Sequence, residues 1–258
     1  MIFTKTAIST LVNQQIKNNP IDDKTVHIWQ IALQSTPEEY RSFWQLLDQA
    51  EQQRAQRFHF EKHRYRFVSK RAQLRLILAA YLDAPHNEIQ FTTAAKGKPR
   101  LQGTQPNCGL VFNVSDSSNH ALFAIGQNQT LGIDLEKHRK IIDMEGMIKR
   151  CLAPTEISWW KAQGKERHKK TFFDFWTQKE SFVKAIGEGL SLGLNQCVVA
   201  QSPPPHLIDI PPHCGRPDEW TLTPINVEGN YSANLATRSK HIEIIFSKPT
   251  AFLKNQGT

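Results

Sequence analysis

Cysteine is scarce in this chain, and the few cysteines follow no pattern. Only four occur in 258 residues, at Cys108, Cys151, Cys197 and Cys214. No pair has the C-x-x-C spacing, and no Cys/His set has the spacing of a zinc site. We therefore expect neither a disulfide framework nor a structural zinc, and we interpret the cysteines as core thiols in a reducing cytoplasm.

Long hydrophobic runs are also absent from the sequence. No stretch approaches eighteen consecutive apolar residues, which excludes an ordinary transmembrane helix. Residues 1–20 carry Lys5 and Lys17 but no long apolar segment, so a signal peptide is not expected. We expect a cytoplasmic protein without membrane contact, in which residues 1–22 form an N-terminal extension that is either helical or disordered.

Negative charge is in the minority. The chain has 32 Lys and Arg against 24 Asp and Glu, which gives a formal net charge of +8. This balance favours an anionic partner, and a phosphate-bearing cofactor, an acidic protein and a nucleic acid all meet that condition. The basic residues are not confined to a tail and no nucleic-acid-binding motif occurs, so charge alone does not choose among the three.

The segment 130–136 is predicted to be a strand with acidic side chains on one face. Its apolar residues alternate, so Asp134 and Glu136 must share the face opposite to Leu131, Ile133 and Leu135. Carboxylates at i and i+2 of a strand lie roughly 6.5–7 Å apart at their stems. They are close enough to share a small cation such as Mg²⁺. The alternative is an ordinary solvated strand face.

The segment 171–186 is predicted to be a helix that ends at Gly187. An apolar stripe runs along it, and glycine is the usual residue just after a helix end. Glu180 and Lys184 are four residues apart and share a face. They are either a surface pair worth about 0.3–0.5 kcal/mol, or a third metal-binding carboxylate followed by a phosphate-binding lysine.

Further elements are predicted coarsely. A capped helix begins at Ser35-Thr36-Pro37, and other helices are predicted at 66–82, 144–151 and 154–161. Strands are predicted at 26–33, 88–93, 111–114, 120–125, 220–222, 231–237 and 242–246. A basic run precedes or enters the helix at 66–82, and it is either a solvated face or an anion site: Arg54, Arg57, Lys62, Arg64, Arg66, Lys70 and Arg71.

Four motifs in order resemble those of the 4′-phosphopantetheinyl transferases, specifically the larger Sfp-type members. The similarity extends from about residue 26 to residue 237. The motifs are Gly97-Lys98-Pro99, Asn113-Val114-Ser115-Asp116-Ser117, Gly132-x-Asp134-x-Glu136 and Trp176-x-x-Lys179-Glu180-Ser181-x-x-Lys184-x-x-Gly187-x-Gly189-Leu190.

The resemblance implies a fold and a reaction. The expected fold is α+β, with two pseudo-symmetric α+β halves, residues 23–130 and 131–258, and the active site in the cleft between them. The expected reaction transfers the 4′-phosphopantetheine group of coenzyme A to a serine of an acyl or peptidyl carrier protein and releases 3′,5′-ADP. Mg²⁺ would be the cofactor, coenzyme A the co-substrate, and the protein is expected to be a monomer that binds no nucleic acid.

The resemblance also implies roles for individual residues. Asp134, Glu136 and Glu180 would hold Mg²⁺, and Glu180 would also be the catalytic residue, because the family assigns proton abstraction to this glutamate or to a metal-bound water. The residues expected to bind coenzyme A are Arg54, Arg66, Lys98, Pro99, Ser115, Asp116 and Lys184.

One residue departs from the family pattern. The family usually has a histidine that contacts the nucleotide phosphate where this chain has Asp116. An aspartate repels anions, and His120, four residues further on, is a candidate replacement. This departure keeps a specialised or non-catalytic carrier-binding relative as an alternative, and a basic nucleic-acid-binding protein is a more distant one. The sequence does not identify the carrier protein.

Overall fold

The computed structural model describes residues 5–94, 97–102, 109–189 and 192–248. Cys108 and Leu190 lie outside these residues. Within them the chain forms both helices and strands, which confirms the predicted α+β class. The helices are α1 Lys5–Asn18, α2 Pro37–Trp44, α3 Gln49–Gln56, α4 Glu61–Leu82, α5 Met144–Cys151, α6 Pro154–Lys161 and α7 His168–Ile186.

The strands form two larger sheets and two small hairpins. They are β1 Thr25–Ala32, β2 Phe91–Thr93, β3 Pro99–Leu101, β4 Leu110–Ser117, β5 His120–Gln127, β6 Leu131–Lys137, β7 Val198–Ala200, β8 His206–Asp209, β9 Thr221–Pro224, β10 Tyr231–Thr237 and β11 Glu243–Ser247. The first sheet has the order β11-β1-β5-β4 and the second the order β6-β10-β9.

The first sheet is covered on both faces, which explains why β1 is apolar along nearly its whole length. Trp29 and Ile31 belong to a core cluster that includes residues of α1 and α4, whereas Val26 and Ile28 belong to one that includes residues of β6 and β10. Because strand side chains alternate, the sheet has helices on one side and the second sheet on the other. The molecule is therefore layered as helices, first sheet, second sheet and α7.

The last of the described strands lies in the first sheet. β11 pairs in parallel with β1, with Val26 opposite Ile244. The first sheet thus takes one strand from the C-terminal part of the chain, and the division of the chain at residue 130 stays a prediction. Each sheet packs with one long helix, α4 or α7, but the strand orders differ, so this common feature does not establish pseudo-symmetry.

The N-terminal extension is helical in its described part. Ile8 and Val12 of α1 are buried in the same cluster as α4, so α1 belongs to the helical layer. The predicted helix start at Thr36 is confirmed, because Thr36 and Glu39 form a reciprocal capping box. The helix predicted at 66–82 begins earlier, at Glu61, and the strand predicted at 88–93 is confined to Phe91–Thr93.

Two glycines position α7 on the second sheet. Gly187 ends the helix with φ 78°, in the left-handed region, as the sequence predicts. Gly132 of β6 lies against the middle of the helix, where a Cβ atom would stand 2.2 Å from the Ser181 carbonyl oxygen. Only glycine permits this approach, so Gly132 brings α7 close to the acidic face of β6.

Candidate active site

The three predicted metal-binding carboxylates lie on the two elements that Gly132 brings together. Asp134 is 3% exposed and Glu180 is 9% exposed, so both are removed from bulk water. Burial, with the nearby Asp134 carboxylate, raises the pKa of Glu180 to about 7. The same causes in the same order raise the pKa of Glu136. The three side chains therefore form one acidic cluster between β6 and α7.

A lysine lies inside this cluster. Lys184 Nζ donates to Asp134 Oδ1 at 2.6 Å and to Ser115 Oγ at 2.9 Å. Ser115 Oγ in turn donates to the same Asp134 oxygen at 2.9 Å. Lys184 and Ser115, both predicted to bind the cofactor, are thus held against Asp134 by short polar contacts.

Two buried oxygens of the cluster have no hydrogen-bond partner among the residues that the structure describes. They are Asp134 Oδ2 and Glu180 Oε1. Buried carboxylate oxygens without partners are costly, and a set of carboxylates is the donor chemistry that Mg²⁺ takes. In the described ranges no three His, Cys, Asp or Glu side chains converge closely enough to hold a metal as they stand. The donor set fits a cation, and its side chains would have to close around one.

Alternate residues of β4 connect the two sheets. Asn113 Oδ1 accepts from the backbone N–H of Ile133 at 2.8 Å, and Ser115 Oγ accepts from that of Leu135 at 3.2 Å. Ser117 Oγ accepts from the N–H of Lys137 at 3.0 Å and donates to Glu136 Oε2 at 2.9 Å. The side chains of Asn113, Ser115 and Ser117 therefore accept hydrogen bonds from backbone N–H groups at the free edge of β6. The two serines also bind the carboxylates of Asp134 and Glu136.

A polar group beside Glu136 was not identified from the sequence. Ser232 pairs with Glu136 across β10 and β6, and Ser232 Oγ donates to Asp174 Oδ1 at 2.5 Å. His138 Nε2 lies 2.8 Å from the same hydroxyl, and its ring stacks on Phe173. Because Ser232 gives its only proton to Asp174, His138 donates to Ser232. Strand alternation in 231–237 predicts that Ser232 shares a face with Asn234. The sequence does not predict the pairing of β10 with β6, which places Ser232 opposite Glu136.

Asp116 lies on the other face of β4. It forms an ion pair with Lys70 of α4, and Arg66, one turn earlier, donates to Asn119 Oδ1 at 2.9 Å. His120 pairs with Ser117 across the strands and packs edge-on against Tyr231 at 5.3 Å. Burial, followed by nearby Lys137 and Lys248, lowers the pKa of His120. His120 and Asp116 therefore occupy opposite faces of the hairpin.

Lys98 and Pro99 lie at the other end of β6. Lys98 Nζ donates to the carbonyl oxygens of Leu131 at 3.0 Å and Ala185 at 3.1 Å. Burial, with a smaller effect of Arg100, lowers the pKa of this ammonium to about 8. Lys98 and Pro99 also line a cavity of about 720 Å³. Among the described residues that line it, none of the three carboxylates is present, so the cavity and the acidic cluster are separate features.

Arg54 and Arg71 of the basic run have partners away from the acidic cluster. The Arg54 guanidinium lies 5.3 Å from the centre of the Phe67 ring, on the rim of a shallow surface depression. Arg71 pairs with Glu51 and stacks on Phe91.

Lys179, which lies in the α7 motif, is fully buried and bonded to Glu156 and to backbone carbonyls. Arg71 and Lys179 are therefore structural.

The fold and the site define an α+β protein with a buried acidic cluster, a lysine within it and polar strand residues that hold both. Comparison with known proteins places this class in a family. Residues 130–234 match the model of the 4′-phosphopantetheinyl transferase superfamily, and residues 32–128 match the model of the 4′-phosphopantetheinyl transferase N-terminal region.

Several curated proteins are similar to the chain. The 4′-phosphopantetheinyl transferase HetI of Nostoc sp. is 36% identical over 178 residues, which cover 69% of this chain and 75% of the relative. The 4′-phosphopantetheinyl transferase Sfp of Bacillus subtilis is 30% identical over 158 residues, covering 61% and 68%. The L-aminoadipate-semialdehyde dehydrogenase-phosphopantetheinyl transferase of Homo sapiens is 29% identical over 164 residues, covering 59% and 52%.

The chain belongs to the 4′-phosphopantetheinyl transferase superfamily, as its motifs indicate. It is therefore a member of a transferase family. In the part of the chain that the structure describes, none of the helices has both the length and the apolar character needed to cross a membrane.

Proposed function

We propose that this protein transfers the 4′-phosphopantetheine group of coenzyme A to a serine hydroxyl of an acyl or peptidyl carrier protein. One observation carries the proposal: buried Asp134 and Glu180 and half-buried Glu136 form one acidic cluster that contains Lys184. Membership in the transferase superfamily supports the same reaction.

We propose Mg²⁺ as the cofactor, held by Asp134, Glu136 and Glu180. The unpartnered oxygens Asp134 Oδ2 and Glu180 Oε1 support this assignment. When bound, the ion would neutralise negative charge on the diphosphate of coenzyme A. Ser115 and Ser117 hold Asp134 and Glu136 by hydrogen bonds, so these two carboxylates are oriented before a cation arrives.

Lys184 is proposed to bind the diphosphate. Its ammonium has three N–H donors, and two are directed to Asp134 and Ser115. The third is available to a phosphate oxygen, and the side chain is 29% exposed, which leaves it within reach of a ligand. Lys184 would therefore provide positive charge next to the metal ligands, where charge develops on the leaving phosphate.

Glu180 is proposed as the proton acceptor as well as a metal ligand. In the reaction the serine oxygen attacks the phosphorus that carries pantetheine, and the bond from that phosphorus to the bridging oxygen breaks. The electron pair of that bond stays on the bridging oxygen of the leaving 3′,5′-ADP, and the serine proton passes to the Glu180 carboxylate. The buried position of Glu180 in the acidic cluster supports the role. Such a reaction depends mainly on positioning and charge neutralisation.

The other predicted cofactor ligands are proposed with different roles. Asp116 lies between Ser115 and Ser117 on β4, and Arg66 donates to Asn119 in the turn that follows; both are proposed to contact the nucleotide. Lys98 and Pro99 are proposed to adjoin it, with Lys98 joining β6 to the end of α7. Arg54 is proposed as a more peripheral anion contact. The net charge of +8 supports acidic carriers as partners, and the buried free thiols Cys151, Cys197 and Cys214 support a reducing cytoplasm.

The proposed function is tested by the mass of apo-carrier proteins incubated with this chain, coenzyme A and Mg²⁺. We expect a carrier to gain the mass of one phosphopantetheine group, and a carrier with its acceptor serine replaced by alanine to gain none. No gain with fatty-acid, polyketide or peptide-synthetase carriers would contradict catalysis. Carrier binding without a gain in mass would favour the non-catalytic relative instead.

A further inference from the structure

Asn234 of β10 lies on the face of the second sheet that carries the acidic cluster. It pairs directly with Asp134 across β10 and β6, and it is 1% exposed. Residues opposite each other in a sheet point to the same face, and Glu136, two residues after Asp134, points there too. This face packs against α7, because Asn234 Nδ2 donates to Ser181 Oγ at 2.8 Å. Asn234 is therefore enclosed in the layer that contains Asp134 and Glu180.

The orientation of the Asn234 amide follows from its partners. Nδ2 lies 3.0 Å from the carbonyl oxygen of Leu235 and 2.8 Å from Ser181 Oγ, which donates its own proton to the Gln178 carbonyl oxygen. Both partners can only accept, so the group that faces them is the NH2 group. The other amide atom, Asn234 Oδ1, is buried and has no hydrogen-bond partner among the described residues.

Two carboxylate oxygens share this condition. Within residues 130–189 and 192–248, the buried side-chain atoms that lack a hydrogen-bond partner are Asp134 Oδ2, Glu180 Oε1 and Asn234 Oδ1. All three atoms are hydrogen-bond acceptors, and they belong to the adjoining elements β6, α7 and β10. A buried acceptor without a partner is costly, so three of them in one layer indicate a common donor or cation.

A hydrated cation supplies what these oxygens lack. Protein-bound Mg²⁺ usually keeps several waters, and a water bound through its lone pair can direct both O–H groups to acceptors. The two contacts of Nδ2 fix the Asn234 amide, so its oxygen is oriented before a cation arrives. We propose that Asn234 Oδ1 accepts a hydrogen bond from a water of the Mg²⁺ ion, which makes Asn234 a positioning residue for that ion. This inference rests on the proposed function.

The alternative is that Asn234 only joins β10 to α7. The two roles use different atoms of one amide, because the water binds Oδ1 and the joint depends on Nδ2. Asn234→Asp keeps an acceptor at Oδ1 but no longer donates to Ser181 or Leu235. Asn234→Leu has a similar shape and loses both the acceptor and the donor. The two substitutions therefore distinguish the roles.

The test measures divalent cation binding with Mn²⁺, whose free form is counted by electron paramagnetic resonance. Coenzyme A is present without a carrier, and protein-free coenzyme A gives the baseline. We expect Asn234→Leu to raise the Kd for Mn²⁺ by about tenfold, as for the loss of a group that orients the metal shell. Asn234→Asp should bind Mn²⁺ at least as tightly as wild type.

Transfer assays give a second measurement with the natural ion. Asn234→Leu should raise the half-saturating Mg²⁺ concentration by about tenfold, while kcat at saturating Mg²⁺ stays within about threefold of wild type. A purely structural change would lower kcat and leave the half-saturating concentration unchanged. Thr237→Val is the matched control, because Thr237 is also buried on β10 but strand alternation turns it to the opposite face.

Two results would overturn the inference. Equal loss of Mn²⁺ affinity in Asn234→Asp and Asn234→Leu would assign the amide to joining β10 and α7, and unchanged affinity in Asn234→Leu would remove Oδ1 from cation binding. If circular dichroism shows that Asn234→Leu does not fold, Asn234→Ala, which removes the same oxygen with less bulk, takes its place. Wild type that binds no Mn²⁺ and transfers nothing refutes the proposed function together with this inference, whereas normal Mg²⁺-dependent transfer with unchanged cation affinity in the variant refutes only the inference.

Discussion

At the scale of single residues, Lys184 is the lysine that donates to the acidic cluster, to Asp134 and to Ser115. It stabilises the Asp134 carboxylate and, in the proposed reaction, the diphosphate. We expect Lys184→Met to lower kcat/KM by about 100-fold, the size of a lost oxyanion-type contact. Lys170→Met is the control, because Lys170 lies on the same helix in an exposed ion pair with Asp174. Steady-state kinetics with a carrier provide the measurement, and equal behaviour of the two variants would contradict the role of Lys184.

His27 allows a test of the fold that is independent of the acidic cluster. Tyr81 accepts from Trp29 Nε1 and lies 2.5 Å from His27 Nδ1, whereas His27 Nε2 is buried without a hydrogen-bond partner among the described residues. Burial lowers the pKa of His27 from its ordinary 6.5 to about 4. The folded state then binds fewer protons than the unfolded state between these values, so stability falls as pH drops from 6.5 to 4.

We expect His27 to contribute a loss on the order of 3 kcal/mol, which appears as the difference between wild type and His27→Phe over this pH range. Urea unfolding at several pH values between 4 and 7.5 measures both slopes. The comparison concerns the slopes and not the absolute stability, which the substitution also alters. A wild-type slope equal to that of the variant would show that His27 is protonated freely in the folded protein.

The sequence identified some residues of the site and missed others for a physical reason. Asp134, Glu136, Glu180 and Lys184 follow from strand and helix periodicity, which is local. The contact of Lys70 with Asp116, and that of His138 with Ser232, join residues far apart in the chain. These contacts depend on sheet register and layer packing, and periodicity in one sequence does not determine either.

At the scale of elements, the contact between β6 and α7 depends on Gly132. We expect Gly132→Ala to destabilise the protein by about 1–3 kcal/mol, because the new methyl group meets helix backbone that cannot rotate away. Transfer should fall further than stability explains, because Glu180 and Lys184 move with α7. Chemical denaturation and kinetics below the unfolding transition give the two quantities.

Gly164→Ala is the matched control for this change. A Cβ atom at Gly164 meets only the end of the flexible Glu166 side chain, which can move aside. We expect its stability within about 0.5 kcal/mol of wild type and normal transfer. If Gly132→Ala behaved like Gly164→Ala, the close approach of α7 would not determine the geometry of the acidic cluster.

Element prediction succeeded where the signal lies within a few residues. The capping box at Thr36 and the glycine stop at Gly187 are local, and both are confirmed. The role of Asn113, Ser115 and Ser117 is different, because these residues satisfy the backbone of a strand in another sheet. Their spacing was recognised as a family motif, but the joining of two sheets was visible only in the structure.

At the scale of the whole molecule, the acidic cluster lies where three layers meet. β6 contributes Asp134 and Glu136, α7 contributes Glu180 and Lys184, and β4 of the first sheet contributes the serines that orient them. The acidic cluster is therefore complete only when the two sheets are packed against each other. The return of β11 to the first sheet links the C-terminal part of the chain to this arrangement.

The most direct test of the account is the rate of phosphopantetheine transfer by Asp134→Asn and Glu180→Gln at saturating Mg²⁺, with circular dichroism to verify folding. Asp209→Asn, an exposed position on β8, is the control. We expect both cluster variants to lose at least about 100-fold in rate, as wild type should with a chelator, while the control stays within roughly twofold. A folded cluster variant that kept its rate within about tenfold of wild type, roughly 1.4 kcal/mol of barrier, would contradict the account.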